Sequence, residues 1–143
     1  MLSFKQYVNT PVQDSDMKSI EVYANNLLKA NGFYLRFSSH FKERVNDERN
    51  GAQITKQEIT TLLNKAVKKY PKLFLNVPKT GEKEIVFTDR ETSLNIPAII
   101  RWSPRRNQNE LFFKTIMRKK NFQSSNNGTP QFVTEENAIL INI

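Results

Sequence analysis

Apolar residues recur at helical spacing between Asp16 and Ala30, with Ile20, Tyr23, Ala24, Leu27 and Leu28 on one face and Lys18, Glu21, Asn25 and Lys29 on the other. This pattern predicts a helix over 16–30, bracketed by turn signals at Asn9-Thr10-Pro11 and Asn31-Gly32. The period then changes. In Phe33-Tyr34-Leu35-Arg36-Phe37 the large apolar residues alternate, which predicts a short strand. A second helix follows, capped by Ser38 or Ser39, ended by Asn50-Gly51, and carrying a thin stripe of Phe41 and Val45. The third helix has the clearest local signature. Thr55 and Glu58 form a capping box, Ile54 can staple against Ile59, and Tyr70-Pro71 stops the helix. These signals place it at 56–69, with Ile59, Leu62, Leu63 and Ala66 on its apolar face.

Beyond Pro71 the chain becomes rich in β-branched and aromatic residues. Segments 72–77, 84–88, 94–102 and 110–118 are separated by turn formers and predict four strands in meander order. Pro97 predicts an edge position or a bulge for its strand. The uncharged run Ala138-Ile139-Leu140-Ile141-Asn142-Ile143 predicts a covered C-terminal strand, returning to its own sheet in preference to a partner chain. The expected fold is α+β: a four-stranded antiparallel sheet packed by helices, with an extra N-terminal helix and a C-terminal strand. The expected organisation is a helical appendage over 1–32, a main domain over 33–122, and a loop and strand over 123–143 packing on that domain.

The chain has 143 residues, a size that suits one modest core, and its ten Phe and 38% hydrophobic content exceed what disordered chains carry. Lys and Arg number 22 against 14 Asp and Glu, a net charge of +8, which favours a polyanionic partner, nucleic acid first. Cysteine is absent and His40 is the sole histidine, so thiolate chemistry is excluded and a zinc site is disfavoured; no metal or cofactor is expected. No run approaches the roughly 18 apolar residues of a membrane span, and the opening residues lack a secretory pattern, so no membrane partner is expected and the cytoplasm is the default location.

Two groups of residues could carry chemistry. His40 and Arg44 share a helix face and place a titratable base beside a fixed cation. Cleaving RNA without a metal needs a base for the ribose 2′-hydroxyl, cations for the phosphorane, and an acid for the leaving oxygen; His and Arg supply the first two. Alternatively His40 is a surface residue and Arg44 pairs with Glu43 or Glu48. The second group is cationic: Arg101, Arg105 and Arg106 around one loop, then Lys114, Arg118, Lys119 and Lys120. Strand alternation would put Phe112, Lys114, Ile116 and Arg118 on one face, suiting stacking and phosphate contact; a solvated basic edge that resists aggregation is the other reading.

Phe33-Tyr34-Leu35-Arg36-Phe37-Ser38-Ser39-His40-Phe41-Lys42-Glu43-Arg44 resembles the strand, serine cap and H-x-x-x-R helix of the RegB-type bacteriophage endoribonucleases, members of the RelE/barnase-like ribonuclease superfamily. The likeness continues through 54–66, 84–89 and 113–118, and spans about residues 33–122. It implies a RelE-like sheet with helices on one side. It also implies metal-independent cleavage of single-stranded mRNA through a 2′,3′-cyclic phosphate in a host cytoplasm, with His40 as general base or acid. Arg44, Arg101, Arg105, Arg106, Lys114, Arg118 and Lys120 would hold phosphate. Where that pattern has a second histidine this sequence has Asn64, which cannot shuttle a proton; RelE-type enzymes manage with Lys and Arg in place of histidines, and here a Lys or Glu would have to serve. The alternative is a non-catalytic RNA-binding or phage structural module with the same fold, partnering RNA or a phage or host protein. The first eight residues resemble the short amphipathic openings of tailed-phage proteins, some of them packaged in the virion; a docking patch on the domain is the favoured reading.

Overall fold

The computed structural model describes residues 10–75, 80–123 and 128–134. Among them are three α-helices, α1 (Asp14–Leu28), α2 (Ser39–Arg44) and α3 (Lys56–Lys69). Six strands accompany them: β1 (Phe33–Phe37), β2 (Glu82–Asp89), β3 (Leu94–Ser103), β4 (Gln108–Phe113), β5 (Met117–Arg118) and β6 (Gln131–Val133).

The helices start where their capping chemistry puts them. Thr55 Oγ1 accepts from the Glu58 N–H at 3.1 Å and Glu58 accepts from the Thr55 N–H at 2.9 Å, closing the capping box of α3. Ser38 Oγ accepts from the Phe41 N–H at 2.9 Å and starts α2. That helix ends at Arg44, earlier than Asn50-Gly51, because Asn50 Nδ2 takes the Arg44 carbonyl at 2.8 Å and draws the chain into a 3-10 turn over Glu48–Asn50. Gly51 closes this turn at φ +74, a conformation that a side chain would strain.

The strands order as β1-β4-β3-β2-β6, with β5 pairing β3. The expected all-antiparallel meander is therefore corrected to a mixed sheet: β2, β3 and β4 are antiparallel, while β1 runs parallel to β4 and β6 parallel to β2. Two causes act. Pro71 starts a 3-10 turn over Pro71–Phe74 that buries Leu73 and Phe74, so the expected strand over 72–77 is absent at 72–75, and 76–79 lie outside the described residues. Its place in the count falls to β1, which the α2–α3 connection separates from β2 and leaves free to join β4 in parallel.

The expected strand over 110–118 is also broken. Phe113 pairs with Ala98 and Met117 with Asn95, so the β4–β5 side carries one residue more than β3 between these pairs. The bulge lies opposite Pro97, whose carbonyl accepts from the Lys114 N–H at 2.9 Å. In an antiparallel strand the N–H and C=O of one residue face the same neighbour, so the proline's missing donor falls where the ladder is already interrupted, and Pro97 sits in a central strand. The extra residue also reverses the alternation: Ile116, expected to share a face with Phe112, is 1% exposed in the core.

The core lies between the helices and one face of the sheet. Helix α1 contributes Met17, Ile20, Ala24 and Leu28 to the same cluster as Ile59, Leu62, Leu63 and Ala66 of α3 and Phe33, Leu35, Ile85, Phe87, Ile100 and Leu111 of the strands. Asn25 of α1 accepts from the Leu35 N–H at 2.9 Å, satisfying a backbone donor of the edge strand β1. At the other edge β6 falls inside the stretch expected to be a loop. Its Val133 carbonyl accepts from Lys69 Nζ at 2.9 Å and Tyr70 OH at 2.5 Å, which tie it to the end of α3. The strand expected at 138–143 and the opening eight residues lie outside the described residues. Among the described residues no helix is long and apolar enough to cross a membrane.

Candidate nucleic-acid interface

Alternation decides what the second face of the sheet presents. With Phe33 and Leu35 in the core, Tyr34 and Arg36 project to the other side of β1, joined by Glu110 and Phe112 of β4 and by Ile99 and Arg101 of β3. Tyr34, Val86 and Ile99 are buried yet absent from the main core cluster, as residues of the opposite face should be.

The centre of this face is Glu110, 5% exposed. Tyr34 OH donates to its Oε2 at 2.5 Å, Arg101 Nε and Nη2 reach Oε1 at 2.9 and 2.7 Å, and Arg36 Nε lies 3.7 Å from Oε2. Burial raises the carboxyl pKa, but the hydrogen bonds from Tyr34 and Arg101 and the charges of Arg101 and Arg36 outweigh it and hold it below its ordinary value. Burial and the Glu110 contact push the Tyr34 phenol up. Glu110 is thus an ionised anchor with its lone pairs occupied. It fixes cations in place and is ill-suited to accept a proton.

Around this anchor the cations stack on rings. The guanidinium carbons of Arg36 and Arg101 lie 4.8 and 5.0 Å from the Phe112 ring centre, and that of Arg106 lies 4.3 Å from the Tyr34 ring centre. Arg101 also pairs with Glu82 at 3.1 Å. Arg36, with its side chain 54% exposed, and Arg106, which has no carboxylate partner among the described residues, keep donors for a ligand.

The residues singled out in the sequence are dispersed. His40 and Arg44 meet: Arg44 Nε donates to His40 Nε2 at 3.3 Å, and Arg44 also pairs with Asp47 at 2.9 Å, neither Glu43 nor Glu48. His40 is exposed, and its Nε2 acceptor position is taken by that arginine. Asn64, on α3, is half-buried. Arg105 is exposed in the β3–β4 loop, Lys114 pairs with Glu84 at 3.1 Å, and Lys120 is exposed beyond β5. Arg118, expected among the phosphate contacts, is committed internally: it binds Glu58 through two 2.8 Å contacts and the carbonyls of Thr92, Gln53 and Ala52 at 2.7, 3.1 and 3.2 Å. Tyr34, Arg36 and Glu110 were missed as site residues, although the polar positions alternating with Phe33, Leu35 and Phe37 carried the signal for the first two.

Comparisons with protein-family models, with curated proteins and with solved structures find no match for this chain.

Proposed function

We propose that this protein binds single-stranded RNA on the face of its sheet that none of the described helices covers, its helix-free face among the described residues. The observation that carries the reading is the stacking of Arg36 and Arg101 on Phe112, with Arg106 on Tyr34 alongside. Single-stranded nucleic acids are held by base stacking on aromatic rings and guanidinium planes, and by cations along the backbone; this face offers both, on a chain of net charge +8. Glu110 supports the arrangement by fixing Arg101 and Tyr34, so the stacking surface exists before the ligand arrives.

A second reading, cleavage through 2′-hydroxyl attack, is favoured by one contact, the His40–Arg44 hydrogen bond that pairs a base with a cation. One experiment separates the two. Labelled single-stranded RNA is incubated with the protein in chelator, and both bound fraction and chain ends are measured. Binding that falls about tenfold in Arg36→Ala while the RNA stays intact supports the binding reading. Cyclic-phosphate ends that disappear in His40→Ala support cleavage, and RNA that neither binds nor breaks sinks both.

A further inference from the structure

A cleft of about 200 Å³ opens at the far end of β3, beside the β2–β3 turn, and is lined by Arg90, Ser93, Lys119, Lys120, Asn121 and Phe122. Its three cations are exposed, and none has a carboxylate partner among the described residues. This sets them apart from Arg101, Lys114 and Arg118, each of which is paired. The cleft floor is held by side-chain hydrogen bonds. Thr88 Oγ1 donates to Asn95 Oδ1 at 2.9 Å, and Asn95 Nδ2 donates to the Ser93 and Lys119 carbonyls at 3.1 and 3.0 Å, so the backbone bearing Lys119 is pinned to the strand ends.

Phe122 also lines a second groove, of about 440 Å³, which runs past Pro97, Lys114 and Met117 on the helix-free face. The two depressions therefore meet at one half-buried aromatic ring, and Pro97 of the groove lies four residues along β3, on the same face of the sheet, from Arg101 of the stacking face. From Arg101 to Leu94, seven residues of β3 cover about 23 Å, more than a single nucleotide spans. Beyond the bulge opposite Pro97, Met117 and Arg118 pair again with Asn95 and Leu94, and the Lys119 N–H donates to the Ser93 carbonyl at 2.8 Å, which sets Lys119 at the end of β3.

We infer that Arg90, Lys119 and Lys120 form a second phosphate-binding station, reached by an RNA strand that runs along β3 from the Arg36–Phe112–Arg101 stack and passes Phe122. The inference rests on the proposed RNA binding and extends it: the ligand is an extended strand of several nucleotides, held at both ends of β3.

Fluorescence anisotropy with labelled oligoribonucleotides of about 3 and about 10 nucleotides tests it, the longer being within the range of single-strand sites. The Arg90→Ala/Lys119→Ala/Lys120→Ala variant should lose about tenfold or more in affinity for the longer oligomer. Its slope of log affinity against log salt should become shallower by about 2, as loss of three phosphate contacts requires. Affinity for the short oligomer should be unchanged. A control neutralising Lys18, Lys29 and Lys72, exposed elsewhere, should retain long-oligomer binding. Equal losses on both lengths, an equal loss in the control, or no loss at all overturns the second station while leaving the stacking face standing. Failure of the native protein to bind either oligomer overturns both.

Discussion

Replacing Arg118 by alanine should destabilise the fold, and the expected size follows from its contacts. The guanidinium joins β5 to the start of α3, taking both carboxylate oxygens of Glu58 and three backbone carbonyls. Breaking a buried ion pair by removing one partner costs about 3–5 kcal/mol, and a hydrogen bond to a charged group about 1.5–3 kcal/mol. The Arg118 and Glu58 side chains keep 15% and 20% of their exposure, so water partly rescues the abandoned groups and about 2–3 kcal/mol is expected. For a chain of this size that corresponds to a fall in Tm of about 6–10 °C, measured by circular dichroism. Arg118→Lys should recover little, because an ammonium cannot reproduce a two-point fork together with three carbonyl contacts.

The same pair fixes a pH dependence. Burial would raise the Glu58 carboxyl, but the hydrogen bonds from Arg118 and Thr55 prevail and hold it below its ordinary 4.5. A carboxyl depressed in the folded state stabilises above its unfolded value and loses that contribution as pH falls through the folded one. The gap between native protein and Arg118→Ala should therefore be widest above about pH 4.5 and narrow as pH falls below it, down to the share carried by the three carbonyl contacts. A variant that melts within about 1 °C of the native protein at pH 7 would refute the assignment of Arg118 as an internal fastener, and a gap of unchanged size at low pH would refute the share assigned to Glu58.

Phe41→Ala should cost about 3–5 kcal/mol in urea unfolding, since its fully buried ring lies 5.7 Å from that of Phe113 and 4.9 Å from that of Phe37 and its removal opens a cavity between them. Ser38→Ala should cost about 1 kcal/mol by the same measurement, because it removes the cap of α2 and the donor to the Lys114 carbonyl together. Phe112→Ala should cost about 1–2 kcal/mol, because Arg36 and Arg101 lose the half-buried ring they stack on, and should weaken single-stranded RNA about tenfold in anisotropy titrations. Tyr34→Phe should cost about 1 kcal/mol by removing one donor from buried Glu110, with Arg101 still in place to hold the charge.

Local signals proved legible where one residue's own chemistry decides the outcome. The strand Phe33–Phe37 and the helix Lys56–Lys69 appear with the expected bounds, because alternation and the capping box are written within a few positions. What the pattern could not carry was order and direction in the sheet. The parallel pairing of β1 with β4 joins Phe33 to Asn109 across the whole fold, and no local period encodes a partner that distant. The break after Phe113 was hidden for a related reason. Lys114, Thr115, Ile116 and Met117 continue the composition of a strand, and only the proline on the neighbouring strand marks where the register must shift.

The positioning of the candidate site follows from that long-range pairing. A basic, aromatic alternation on β4 alone would give Phe112 beside Lys114, an exposed ring and a cation already paired with Glu84. Placing β1 alongside brings Tyr34 opposite Glu110 and Arg36 opposite Phe112. Placing β3 on the other flank brings Arg101 opposite Glu110. Three strands that carry one or two polar residues each thus converge on a single carboxylate, whose desolvation is offset by the phenol and the guanidiniums it orders. The alternation that sends Phe33, Leu35 and Phe37 inward necessarily sends Tyr34 and Arg36 outward, so the stacking face and the core are specified by the same five residues. A one-residue slip of β1 would lose both at once, which ties the capacity to bind a ligand on this face to the register that holds the fold together.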